Sequence, residues 1–404
     1  MINLIPVATA EKSRIALRKI YFLLGIGMMA WAPRFPELQE QLNLSASKFG
    51  FLLSFGSAGS ILAFSLMGHL VHAFGAKPVL FISGAFTYTA MVIVTLSESP
   101  IVFQITLILF SASIVAYNVA LNAQSILIQN SLNRPVLGQF HGSWSAGAFL
   151  TSGLSGIVAP LISLQLHILI LALILFPIAT YQTRKLIDFK PAELNDELPS
   201  RRQVPPIWRA PKLQWILSIG MTCGVLIEFI GADWITIYTH EHLKVPTGPD
   251  AIPITVFMLA IIIGRLNTDR LAQAVGMDNL VRVSGYVGFI GGVIAITGSH
   301  VMRDVGMWQA LLIAAFGYFL AGLGTACMTP AFFSAGSRIS SSPAAVTLSR
   351  MAMLNHVFVW NFKLLIAALA AAFGMHIALL IPAFTLLAVV ALAKYVNAQP
   401  AVKS

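Results

Sequence analysis

Charge is what this chain most lacks. Asp, Glu, Lys and Arg make up 10% of its 404 residues, against about a quarter in soluble globular domains, while 57% of the residues are hydrophobic. With a mean hydropathy of +0.82, that balance excludes a water-soluble globule and makes a lipid bilayer the expected solvent. Cysteine is nearly absent. Cys223 and Cys327 both stand inside apolar runs, so a disulfide framework is excluded and neither thiol reports on a redox compartment. Glycine and proline follow no period, which excludes collagen-like and low-complexity chains. Missing too is the Gly-x-x-x-x-Gly-Lys-Ser/Thr loop that cradles nucleotide phosphates. No His, Cys or carboxylate cluster has metal-ligand spacing. No metal, no cofactor and no enzymatic activity are therefore expected.

What the chain does have is long apolar runs. A helix needs roughly 20 apolar residues to cross about 30 Å of hydrocarbon. Twelve such stretches lie near 18–37, 48–72, 78–97, 101–125, 139–162, 165–184, 213–237, 252–271, 280–299, 306–328, 346–371 and 376–395. The expected fold class is an all-α membrane protein with twelve transmembrane helices. The first run follows Lys12, Arg14, Arg18 and Lys19 but continues through Trp31-Ala-Pro-Arg with no small-residue cleavage site, so it reads as a retained helix rather than a signal peptide.

The net charge of +10 suggests a polyanionic partner only if the basic residues share one face. They follow the loops instead. With the N-terminus inside, twenty of the 25 Lys and Arg residues fall on the cytoplasmic side and four outside (Arg34, Lys48, Lys244 and Arg303), with Lys363 inside a helix. That bias places both termini in the cytoplasm, and no nucleic-acid partner is expected. Between Arg184 and Lys212 the apolar pattern yields to charged residues and prolines, including Arg201 and Arg202, which is linker chemistry. The expected division is an N-terminal six-helix bundle (1–186), a cytoplasmic linker (187–211) and a C-terminal six-helix bundle (212–404).

The halves share a signal at the expected cytoplasmic end of their second helix. The first reads Gly68-His-Leu-Val-His72-Ala-Phe-Gly75-Ala-Lys77 and the second Gly264-Arg265-Leu-Asn-Thr-Asp269-Arg270, continuing to Gly276. Glycine there permits close helix approach, and charged groups can bridge helix ends as a cytoplasmic gate. This pattern resembles the loop signature of the major facilitator superfamily. The first copy has His72 where an acidic residue is usual; His69 and His72 read as replacements for gate charges rather than zinc ligands. Two further strings, Asn118-Val-Ala-Leu-Asn122-Ala-Gln124 and Phe140-His141-Gly142-Ser-Trp144-Ser145-Ala-Gly147, with Asp233-Trp234, resemble a bacterial inner-membrane branch related to the fucose permease group. In that branch the first string commonly begins with Asp, so a proton carrier expected there is replaced by Asn118. The resemblance implies two pseudo-symmetric bundles, a location in the bacterial inner membrane and secondary transport, with the fourth helix lining the cavity.

Ionisable groups at bilayer depth are costly and mark functional candidates. Glu228, Lys363 and Asp233 stand out. Glu228 and Lys363, at comparable depth, are expected to meet as a buried pair that opens when solute or proton binds, with a static packing pair as the alternative. Asp233 serves either the outer aromatic belt and gate or substrate contact. Asn118 and Asn122, four apart, share a helix face and offer neutral amides to a hydroxyl-bearing solute or to a neighbouring helix. His141 and Trp144 stand beside Gly142 and Gly147; substrate stacking or proton relay is one reading and tight packing through small residues the other, with packing expected for the glycines. Asn355, His356, Trp360 and Asn361 give the eleventh helix a polar stripe that cannot all face one way. Trp31, Trp144 and Trp360 are candidate stacking surfaces, and Pro33 is expected to kink the first helix.

The expected function is secondary active transport of a small polar solute by alternating access, a sugar or sugar-like metabolite by resemblance, coupled to protons. Lys363 keeps an organic anion in contention. Proton-antiport export of drugs or metabolites is the competing direction, and a non-transporting receptor or scaffold the remote one. The expected partners are the solute, protons and the lipid bilayer, with the protein acting as a monomer.

Overall fold

A computed structural model of the protein describes residues 5–134, 136–188, 210–339 and 344–397. Most of the expected linker, Arg201 and Arg202 included, lies outside them. Among the described residues every regular element is helical. In lipid no water is available to backbone N–H and C=O groups, so a helix, which satisfies them within one segment, is the expected solution for runs this apolar.

Contacts divide the chain into two units. The first comprises Met1–Asn43 with Leu52–Leu198 and contains helices α1 (Val7–Met29), α2 (Gly56–Phe74), α3 (Ala76–Leu96), α4 (Pro100–Leu132), α5 (Leu137–Val158) and α6 (Leu164–Arg184). The second comprises Leu44–Phe51 with Pro199–Ser404 and contains α7 (Lys212–Ile237), α8 (Ile252–Val275), α9 (Met277–Val293), α10 (Met307–Thr325), α11 (Ala344–Phe373) and α12 (Leu380–Leu392). Within each unit the same neighbours recur. The first helix packs on the fifth and sixth, the second on the fourth, and the third on the fourth and sixth.

Helices in lipid gain little by burying apolar area against one another, so close packing through small residues takes over. In the first unit a Cβ on Gly25 would sit 2.1 Å from the carbonyl oxygen of Trp144, and one on Gly147 would sit 2.2 Å from that of Phe22. Helices α1 and α5 thus touch backbone to backbone. In the second unit Gly324 meets Gly288 in the same way, joining α10 to α9. The outer surface is apolar instead: Leu62, Leu109, Leu173, Leu266 and Leu312 are each at least 60% exposed, while Ser113, Gln124, Thr151, Ser218 and Thr325 are buried. That inverted distribution suits a lipid surround.

Among the described residues ten helices are long and apolar enough to cross a membrane, and eleven if the pair Ala46–Ala63 and Leu66–Phe74, bent by 47°, is one span. The expected count of twelve is therefore not reached on these criteria. The difference is α5, the expected fifth span: its 22 residues suffice in length at about 1.5 Å each, but its glycines, serines and His141 dilute its apolarity. In the first span, α1 ends at Met29 and a short 3-10 turn, Ala32–Arg34, carries Pro33 before the helix resumes at Phe35. The expected kink at Pro33 is a break of this kind.

The shared signal of the two halves stands partly elsewhere than expected. Gly68 and Gly264 lie inside α2 and α8; the helices stop at Gly75 and Gly276. Those two adopt matching backbone conformations, φ +83° and +84°, and each donates its N–H to the carbonyl four residues back, Val71 and Ala272, at 2.9 and 3.0 Å. With ψ at 162° and 147° this region is open to glycine almost alone, and it lets the next helix begin at the following residue. Gly264 does allow close approach, since its Cβ position falls 2.4 Å from the Cβ of Ala326. Around Gly68 no described atom lies within 4 Å of that position, so close packing is not its role in this structure.

Candidate functional site

Helix α7 carries two carboxylates into the second unit, and they face different neighbours. Glu228 and Asp233 are five residues apart, which turns them by about 140° and offsets them by about 7.5 Å along the axis. Glu228 receives both of its contacts from one guanidinium nitrogen of Arg265 on α8, Nη2, at 3.0 Å to each carboxylate oxygen. Asp233 meets Lys363 of α11 at 2.7 Å between Oδ2 and Nζ. The expected pairing of Glu228 with Lys363 is therefore corrected: Asp233, nearer the end of α7 and turned toward α11, takes the lysine, and Glu228, turned toward α8, takes an arginine. The side chains of Asp233 and Lys363 are 13% and 12% exposed, those of Glu228 and Arg265 19% and 30%. Both pairs sit within helices of membrane-spanning length.

Around these pairs the stripe on α11 divides as its spacing requires. Asn355 is buried, Trp360 is half-buried and Asn361 is exposed. Asn361 donates its amide to the carbonyl of Val357 at 2.8 Å. His356 lies edge-on to Phe229 at 6.2 Å. Trp234, beside Asp233, is 1% exposed, and its indole fills the space a side chain at Gly50 would need. That contact accounts in part for the grouping of Leu44–Phe51 with the second unit.

The first unit offers neutral groups. Asn118, half-buried on α4, donates its amide to the carbonyl of Ile114 one turn back at 3.0 Å. Asn122, which is exposed, accepts the Tyr21 hydroxyl at 3.0 Å. Tyr21 also meets the Ser125 hydroxyl at 3.1 Å, stacks on Phe140 and lies edge-on to His141, both at 5.6 Å. Tyr21 is thus the hub that joins α1, α4 and α5 around residues the sequence singles out separately. Trp144 packs against the same core. Trp31 is 7% exposed, edge-on to Phe35 and Phe110, and its indole N–H donates to the Met28 carbonyl at 3.1 Å. Its ring is committed to packing and is not an open stacking surface. Gly147 packs tightly as expected, whereas no described atom lies within 4 Å of the Cβ position of Gly142.

Of the expected gate residues, Asp269 and Arg270 are exposed near the end of α8, and Lys77 is half-buried at the start of α3. Arg265, which stands in the same motif string but is not among the expected gate residues, pairs with Glu228. Arg34, read as an outer-loop cation, is 1% exposed. It donates to both carboxylate oxygens of Glu37 at 2.7 and 2.6 Å and to the Ile162 carbonyl at 2.7 Å, anchoring the resumed first span to the end of α5. An i, i+3 spacing with an acidic partner was visible for Arg34; for Arg265, 37 residues from Glu228, no local signal was.

A sequence model of the Major Facilitator Superfamily matches residues 20–357. The chain is 25% identical over 386 residues to an uncharacterized MFS-type transporter of Yersinia pestis, a match covering 95% of this chain and 96% of that protein. It is likewise 25% identical over 373 residues to the membrane protein MosC of Rhizobium meliloti, covering 89% and 84%. Among solved structures, the nucleoside transporter NupG gives a TM-score of 0.73, and a point mutant of it 0.77, each at 12% identity over 96% of this chain and all of that one; that likeness is one of fold. With the family model spanning well over half of it, the chain belongs to the Major Facilitator Superfamily.

Proposed function

We propose that this member of a transporter family is a secondary active carrier that moves a small polar solute by alternating access and couples that movement to protons through Glu228. The observation that carries the reading is the pair of carboxylates on α7, each held by a cation from a different helix, within helices of membrane-spanning length. An ion at bilayer depth is stable only with a partner or water. Protonating Glu228 removes the attraction that holds Arg265. Binding a proton and moving helices are thereby linked. Asn118, Asn122, Trp144, Trp360 and Asn361 supply amides and aromatic faces suited to a sugar-like solute. A nucleoside, the solute named for NupG, carries such a sugar and belongs in the same trial.

An organic anion is the second reading, favoured by the contact of Lys363 with Asp233, because an anionic solute can replace the carboxylate. Import by symport and export of drugs or metabolites by antiport differ in sign. We further propose a monomer in the bacterial inner membrane with both termini cytoplasmic. The test is purified protein in proteoliposomes with a trapped pH dye, challenged with sugars, nucleosides and organic anions. Solute-driven acidification or alkalinisation is expected in the wild type and its loss in Glu228→Gln, with solute binding retained. Coupling that survives Glu228→Gln removes the proton role from this residue.

A further inference from the structure

Three histidines far apart in sequence meet at one end of the second unit. His242 closes the π-helical turn Tyr238–His242 that prolongs α7. His300 lies in the short helix Ser299–Met302 that follows α9. His376 lies in the turn Met375–Ala378 entered through Gly374 at φ +88°. All three are half-buried, and one ring nitrogen from each lies within 4.8 Å of the other two. The rings are stacked: His300 on His376 at 4.5 Å, His242 on His300 at 5.0 Å and His242 on His376 at 5.3 Å. Nε2 of His242 and Nδ1 of His300 are 2.8 Å apart.

We propose that His242, His300 and His376 bind one divalent transition-metal ion of the zinc, cobalt or nickel kind. Imidazole is a favoured ligand of such ions, and three protein ligands with an open fourth position form a recognised coordination set. A tetrahedral ion with metal–nitrogen bonds of about 2.0–2.1 Å holds its ligands roughly 3.4 Å apart. The nitrogens here bracket that spacing, from 2.8 Å to no more than 4.8 Å, so ring rotation of half-exposed side chains completes the site. The scaffold behind them is fixed. Tyr238 stacks on His242 at 5.0 Å, donates its hydroxyl to the Ile296 carbonyl at 3.0 Å and meets the Ser299 hydroxyl at 2.9 Å, which ties the His242 turn to the His300 turn. Arg303 and Lys244 act electrostatically on His242, a field that favours an anionic fourth ligand over a second cation.

The site is separate from the ion pairs. His242 is nine residues beyond Asp233 on the same helix, about 13 Å along its axis, and the inference does not depend on the transport reading. Its consequence is a clip joining the ends of α7 and α9 to the turn between α11 and α12.

The test uses the full chain, purified without a histidine tag. Co2+ is titrated by visible absorption and Zn2+ by calorimetry. One ion per chain is expected, with the absorption of tetrahedral cobalt and its loss on adding zinc. His242→Gln, His300→Gln and His376→Gln should each weaken binding by at least about tenfold, the loss that removing even an outer-shell partner brings. His72→Gln, in the first unit, should leave binding unchanged. Absence of a stoichiometric cobalt signal in the wild type overturns the proposal without recourse to variants. Binding that persists in folded His300→Gln and His376→Gln, checked by size-exclusion chromatography, overturns it equally.

Discussion

Lys363 has one carboxylate at 2.7 Å, that of Asp233, and this contact defines what each residue can tolerate. A cation stripped of its partner inside a bundle keeps its desolvation cost and loses its attraction. Breaking a buried pair costs about 3–5 kcal/mol; because each of these side chains is about an eighth exposed, an effect of about 1–3 kcal/mol is expected for Asp233→Asn alone. Replacing both partners in Asp233→Asn with Lys363→Met removes the stranded charge, so thermal unfolding in detergent should show the double variant recovering most of the single variant's loss. Equal or additive losses would mean that the two side chains do not interact. At this scale the sequence reveals which residues matter but not who meets whom. Glu228, Asp233 and Lys363 are conspicuous in apolar runs, yet pairing depends on the five-residue turn of α7 and on which helices flank it.

At the scale of elements, small residues decide how near two helices come. Gly147 stands directly against the Phe22 carbonyl oxygen, from which an added Cβ would lie 2.2 Å. Gly147→Ala must push α5 from α1, an overpacking cost of about 1–3 kcal/mol, readable as a lower unfolding midpoint. Gly142, five residues earlier on the same helix, has no described atom within 4 Å of that position. Gly142→Ala should be neutral or stabilising by up to about 1 kcal/mol, since alanine is the better helix residue. Similar losses from both would show that the contact at Gly147 is not what matters. The matching stops at Gly75 and Gly276 are the structural content of the sequence repeat. A repeat of residue types is legible by eye; that the helices stop at the glycines with φ above +80°, and not at Gly68, emerges only once the backbone path is known.

At the scale of the whole molecule, the expected orientation is testable by surface labelling. Lys48, Lys244, Arg134 and Arg282 are exposed, and the two native thiols, Cys223 and Cys327, are buried, which gives a low background. In intact cells a membrane-impermeant maleimide should label Lys48→Cys and Lys244→Cys but spare Arg134→Cys and Arg282→Cys, which should react only after the membrane is opened. Labelling of all four, or the reverse pattern, would refute cytoplasmic termini and an even number of crossings. The sequence by itself determined the solvent, the helical class and the superfamily resemblance, because these follow from composition and from patterns local to a few turns. Tertiary structure alone decided that Glu228 takes Arg265, that Asp233 takes Lys363, that Tyr21 joins three helices and that three histidines converge. Those choices depend on helix azimuth and on neighbours tens of residues away, and a linear pattern fixes neither.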